Sequence, residues 1–182
     1  KLQGLNVVFF EARLADTLAQ LIRLQGGNPI SAPAMREVPL ENNPAVFTFA
    51  ERLFKKEINV LILLTGVGTR YLVQVLETRF ERERILEAMR HTTIVPRGPK
   101  PIRALNDFKV PYAVAVPEPN TWREILATLD AHMEKIPVRG RSVAVQEYGV
   151  TNPELLGGLK ERGAKLLVVP VYRWALPDNL EP

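Results

Sequence analysis

Short apolar runs alternate with longer amphipathic stretches along the chain. Residues 5–10 (LNVVFF) predict a strand, and residues 14–24 a helix with Leu14, Leu18, Leu21 and Ile22 on one face. Gly26-Gly27 ends that helix. Residues 29–40 (PISAPAMREVPL) contain three prolines, which suits an edge strand or an extended crossover better than a central strand. Asn42-Asn43-Pro44 reads as a helix start, with Asn as cap and Pro just inside. The unbroken apolar run 59–65 (NVLILLT) predicts a strand buried on both faces. Two helices follow, over residues 71–80 and on to about Arg90, then a short strand at 92–95 and a proline-led helix at 99–108. Residues 112–116 (YAVAV) read as a strand, and 121–133 as a helix opened by a Thr121/Glu124 capping box. Strand 142–146, helix 152–162 and strand 165–171 complete the series. Strands and helices alternating at this spacing predict an α/β fold with a mostly parallel sheet covered on both faces.

Composition narrows the chemistry. The 182 residues include no cysteine and two histidines, His91 and His132, which are not at ligand spacing from each other. This excludes a disulfide framework, a thiolate metal site and a cysteine nucleophile, and it argues against a histidine metal centre or a Ser-His-Asp triad. Lys and Arg number 24 against 20 Asp and Glu, and Arg outnumbers Lys 16 to 8, which suits an anionic small molecule or a solvated surface. The charges are interspersed, so no nucleic-acid arm is expected. No apolar run is long enough to span a bilayer, and none follows Lys1 as a leader would, so a cytoplasmic protein with a trimmed N-terminus is the expectation.

Three strands run into unusual turns: Thr65-Gly66-Val67-Gly68-Thr69-Arg70, Pro96-Arg97-Gly98-Pro99-Lys100-Pro101, and Glu147-Tyr148-Gly149-Val150-Thr151-Asn152. In a parallel sheet all three lie at the carboxyl edge, where open α/β sheets bind ligands. Each opens a helix whose first N–H groups point outward, and Arg70, Arg97 and Lys100 bring positive charge. The edge therefore suits a ligand with several separated negative groups, although each turn alone also fits an ordinary tight connection. Neither GxGxxG with its acidic partner nor a P-loop is present. Tyr172, where the last strand leaves the sheet, is placed either to donate a proton at that edge or simply to pack there.

The chain resembles the uroporphyrinogen-III synthase family. EARLA (residues 11–15), Gly26-Gly27, APAMREVPLE (32–41), TGVGTR (65–70), PRGPKP (96–101), PEPNTWREIL (117–126) and PVYRWALP (170–177) occur in order across the chain. The resemblance implies a flavodoxin-like parallel-sheet domain and a second similar α/β domain joined by a two-stranded linker, residues 32–40 and 169–176. Residues 39–172 would form one domain, and residues 1–38 with 173–182 an incomplete part of the other. The implied reaction closes the linear tetrapyrrole hydroxymethylbilane to uroporphyrinogen III, with inversion of the last ring and loss of water, and needs no metal or organic cofactor. Carried over by residue, Arg13, Thr65, Gly66, Val67, Gly68, Arg97, Gly98, Lys100, Tyr148 and Gly149 would face the substrate. Tyr172 would help expel the hydroxyl.

The chain is shorter than the family's usual length of about 250 residues or more, two domains of ordinary size. One strand and one helix cannot bury their apolar faces alone, so the N-terminal unit is expected to pack poorly, to dock on another copy, or to belong to a longer chain. Two other readings stay open. One is a non-catalytic module sensing a tetrapyrrole or other polyanion, in some relatives joined to a DNA-binding segment. The other is an unrelated flavodoxin-like domain, which would place strand 5–10 in one sheet with the rest.

Overall fold

A computed structural model describes residues 1–40, 43–147 and 149–176. The chain forms two compact units, one from Lys1–Val38 with the segment that begins at Trp174, the other from Pro39–Arg173.

In the smaller unit, β1 (Asn6–Phe9) pairs in parallel with β2 (Asn28–Ser31), and α1 (Ala15–Leu24) connects them. Among the described residues, Phe9 and Ile22 are its buried apolar side chains. Leu5, Val8, Phe10, Leu14, Leu21 and Leu24 stay exposed, Leu24 by 80%. A two-stranded sheet with one helix has no second layer to cover these positions. The proline-rich segment 29–40 is two short strands rather than one, β2 and then β3 (Arg36–Pro39). β3 pairs with β8 (Tyr172–Ala175), and the chain passes between the units within this pair.

The larger unit is a four-stranded parallel sheet. Its strands are β4 (Val60–Leu63), β5 (Thr93–Pro96), β6 (Ser142–Glu147) and β7 (Lys165–Pro170), in the order β5-β4-β6-β7. β1 lies outside it, against the single-sheet alternative. Leu61 and Leu63 of β4 face a layer made by α2 (Pro44–Phe54), α3 (Gly66–Glu77), α4 (Arg82–Arg90) and α5 (Pro99–Asp107). Val60 and Ile62 face α6 (Trp122–Ala131) and α7 (Pro153–Glu161) on the other side. A strand covered on both faces needs a continuous apolar run, which is what residues 60–63 supply.

Local signals set most boundaries. Asn43 Oδ1 accepts the Ala45 N–H at 3.0 Å to start α2, and its side-chain nitrogen donates to Pro170 O at 2.7 Å, tying that start to the end of β7. Thr121 and Glu124 form the expected capping box on α6. Two further expectations change. The stretch TGVGTR is not a free turn before a helix at Tyr71, because α3 already begins at Gly66. Residues 112–116 are not a strand. They run beside β5 through two bonds, Ala113 N–H to Ile94 O and Val116 N–H to Pro96 O, between Pro111 and Pro117, which have no N–H to extend a ladder.

Candidate functional site

The order β5-β4-β6-β7 creates a reversal. From β4 the chain moves through α3 toward β5 on one side, and from β6 through α7 toward β7 on the other. The crevice at such a reversal, beyond the carboxyl ends of the strands, is where open α/β sheets take ligands. Here Pro96, Leu63 and Gln146 stand abreast in register, so the three turns begin side by side. Arg97 N–H donates to Leu63 O at 2.9 Å and fixes the second turn beside the first.

At the first turn, Thr65 is the N-cap of α3. Its Oγ1 accepts the Gly68 N–H at 2.9 Å, which leaves the N–H groups of Gly66 and Val67 without partners inside the helix. Gly66 and Gly68 are buried, and their lack of side chains serves packing. A Cβ on Gly66 would lie 2.5 Å from Lys100 O, and one on Gly68 would overlap the Gln146 amide. Arg70 faces Asp107 of α5, with an ion pair of 2.6 Å, so its charge is spent between helices.

At the second turn, Gly98 is buried against Asn120, whose amide a Cβ would overlap. With its nitrogen toward the turn, Asn120 donates to Arg97 O at 2.7 Å and Val116 O at 3.0 Å. Lys100 is exposed in the first turn of α5. Pro99 and Pro101 flank it and carry no N–H, so this helix start offers fewer backbone donors than α3. At the third turn, Asn152 caps α7 by accepting the Leu155 N–H at 2.8 Å, and the exposed Gly149 donates to Tyr172 O at 3.3 Å. Tyr148 lies outside the described residues.

Tyr172 is 3% exposed, and its ring packs on Tyr71 at 5.6 Å between centroids. Arg13 belongs to the smaller unit, where its Nη1 stands 3.7 Å from Glu37 Oε1. The larger unit thus gathers Thr65, Gly66, Val67, Gly68, Arg97, Gly98, Lys100 and Gly149 at one sheet edge.

Sequence reasoning passed over Gln146, Glu147 and Asn120. Gln146 is fully buried; its Oε1 accepts the Thr65 N–H at 3.4 Å and its amide nitrogen donates to Glu147 O. Glu147 Oε2 accepts the Thr151 hydroxyl at 3.0 Å, while Oε1 is buried without a partner. The available signal was a pair of polar residues ending the otherwise apolar run SVAVQE. His91 and His132 sit at helix ends, bonded to Glu87 Oε1 and Thr128 O. Among the described residues, no group of three or more His, Cys, Asp or Glu is arranged to hold a metal ion, and no helix is long and apolar enough to cross a membrane.

Fold and edge together define a doubly wound α/β protein with three βα turns side by side at its strand reversal. The chain belongs to the uroporphyrinogen-III synthase HemD family, whose profile matches residues 16–182. Over 96% of its length it is similar to two uroporphyrinogen III synthase structures from the extreme thermophile Thermus thermophilus. A mutant form gives a TM-score of 0.67 at 23% identity, and the wild type 0.61 at 26%. The Helicobacter pylori 26695 uroporphyrinogen-III synthetase shares the fold, with a TM-score of 0.53 at 16% identity over 96% of this chain and 63% of its own. A Bacillus subtilis (strain 168) relative, the uncharacterised protein YjjA, is 29% identical over 98% of this chain. The chain spans 64% of that relative, and 64% and 63% of the two Thermus chains.

Proposed function

We propose that this chain carries the substrate-binding crevice of a uroporphyrinogen-III synthase, closing hydroxymethylbilane to uroporphyrinogen III with ring inversion and loss of water. The observation that carries the reading is the side-by-side start of three βα turns at the strand reversal, with Arg97 and Lys100 on the second turn and, on the first, the N–H groups of Gly66 and Val67 that have no partner inside the helix. Separated donors along one edge match separated carboxylates on a flexible linear substrate. Thr65, Gly66, Val67, Gly68, Arg97, Gly98, Lys100, Tyr148 and Gly149 hold those carboxylates in this reading, and Arg13 serves the same substrate from the smaller unit. Tyr172 assists departure of the hydroxyl. The protein acts in the cytoplasm in tetrapyrrole biosynthesis without a cofactor, and it self-associates through the incomplete smaller unit, whose apolar positions are left exposed.

The burial of Tyr172 supports a second reading, a module that binds the tetrapyrrole without converting it. Product analysis separates the two. On the synthase reading, isomer III accumulates above the spontaneous background, Arg97→Ala with Lys100→Ala raises KM, and Tyr172→Phe lowers kcat. On the sensing reading, the linear substrate binds and only isomer I is recovered.

A further inference from the structure

Phe10, Arg13, Met35, Glu37 and Trp174 line a cavity of about 230 Å³ within the smaller unit. That is below the roughly 300–1,000 Å³ of pockets for drug-sized ligands, so it suits one small ring rather than four linked ones. The side chain of Glu37 is only 5% exposed. Its Oε1 has Arg13 at 3.7 Å, and its Oε2 is buried with no hydrogen-bond partner. Buried acceptors are almost always satisfied, so an unsatisfied one calls for an explanation. Glu37 is one of the residues that line the cavity. Burial pushes the Glu37 carboxyl above the usual range, Arg13 opposes this, and Glu11 adds to it. The cavity thus combines an acceptor lacking a donor, a guanidinium beside it, and aromatic surface from Phe10 and Trp174.

Building on the synthase reading, we propose that this pocket seats one pyrrole ring, with Glu37 accepting the ring N–H and Arg13 pairing with a carboxylate on the same ring. Glu37 acts here as a recognition residue and no bond is made or broken by it.

The test uses pyrrole-2-carboxylate and furan-2-carboxylate, which differ in having a ring N–H or a ring oxygen. Trp122→Phe leaves Trp174 as the single indole of the chain, so its fluorescence reports the pocket. The expected result is saturable quenching by pyrrole-2-carboxylate, at least tenfold tighter than by the furan. Glu37→Met, which keeps the bulk and removes the acceptor, should erase that preference, and Arg13→Met should weaken both probes. Glu37→Leu, which also lacks an acceptor, should lose the preference too and provides a second variant should the first not fold. Equal affinity for the two probes, no saturable binding of either, or a preference unchanged in the Glu37 variants would overturn the proposal. Neither probe is cyclised, so failure here leaves the isomer test of the synthase reading standing, and the converse also holds.

Discussion

A Cβ placed on Gly66 would come within 2.5 Å of the carbonyl oxygen of Lys100, so the first turn of α3 and the first turn of α5 touch backbone to side-chain position. This contact holds two of the three turns at the sheet edge together. The atom met is backbone and cannot swing aside as a side chain would. Gly66→Ala should therefore destabilise the larger unit by about 1–3 kcal/mol, the usual range for overpacking. Urea denaturation followed by far-UV circular dichroism measures it, and an unchanged midpoint would mean that the two helix starts separate freely.

The cap at Thr65 gives a smaller effect. Thr65→Ala removes the acceptor for the Gly68 N–H and should cost about 1 kcal/mol, while Thr65→Ser should retain most of the stability. Denaturant midpoints of the two variants provide the comparison.

Asp130 and Arg162 join α6 to α7 through two bonds, from Nε at 2.7 Å and Nη2 at 2.6 Å. The hydrogen bond from Arg162 holds the Asp130 carboxyl below its usual value. Its folded-state pKa is thus lower than its unfolded one. The stability it adds is complete above the ordinary aspartate value of about 3.9 and disappears as pH falls through the lower folded-state value. Both partners are partly exposed, so the effect should stay under about 1 kcal/mol. Asp130→Asn should lower the urea midpoint at pH 7 and match the parent protein once acid has protonated Asp130 in both states.

Glu37 titrates with the opposite sign. Burial raises its pKa, with Arg13 opposing and Glu11 reinforcing. The folded unit therefore binds the proton more readily than the unfolded chain, and stability increases as pH falls through the raised value toward the ordinary glutamate value of about 4.3. Glu37→Gln should slow hydrogen exchange at the Ile22 amide at neutral pH and have little effect on the underlying stability in acid. A variant that exchanges faster at neutral pH would show that the charged carboxylate stabilises its surroundings.

The elements that could be read from the chain are those fixed by local signals. The run at residues 60–63 needs no partner to declare a two-face buried strand, and Thr121 with Glu124 marks a helix start by itself. The start of α3 was hidden because Gly66 and Gly68 are poor helix formers, chosen by Lys100 and Gln146, which the sequence does not show to be neighbours. Residues 112–116 alternate like a strand, yet Pro111 and Pro117 limit their backbone bonding. The edge itself was readable, since Thr65, Arg97 and Gly149 each follow a strand. The residues supporting it were not: Gln146 reaches Thr65 and Asn120 reaches Arg97 across 20 or more positions, which no local pattern encodes. The Arg13–Glu37 pair of the smaller unit was hidden for the same reason.

Whether the chain converts hydroxymethylbilane is decided by the isomer of its product. The purified chain is incubated with freshly generated hydroxymethylbilane, the products are oxidised, and uroporphyrins I and III are separated by chromatography. Isomer III should exceed the enzyme-free control, with the excess reduced by Tyr172→Phe. Isomer I alone, at the rate of spontaneous closure, would contradict the synthase reading.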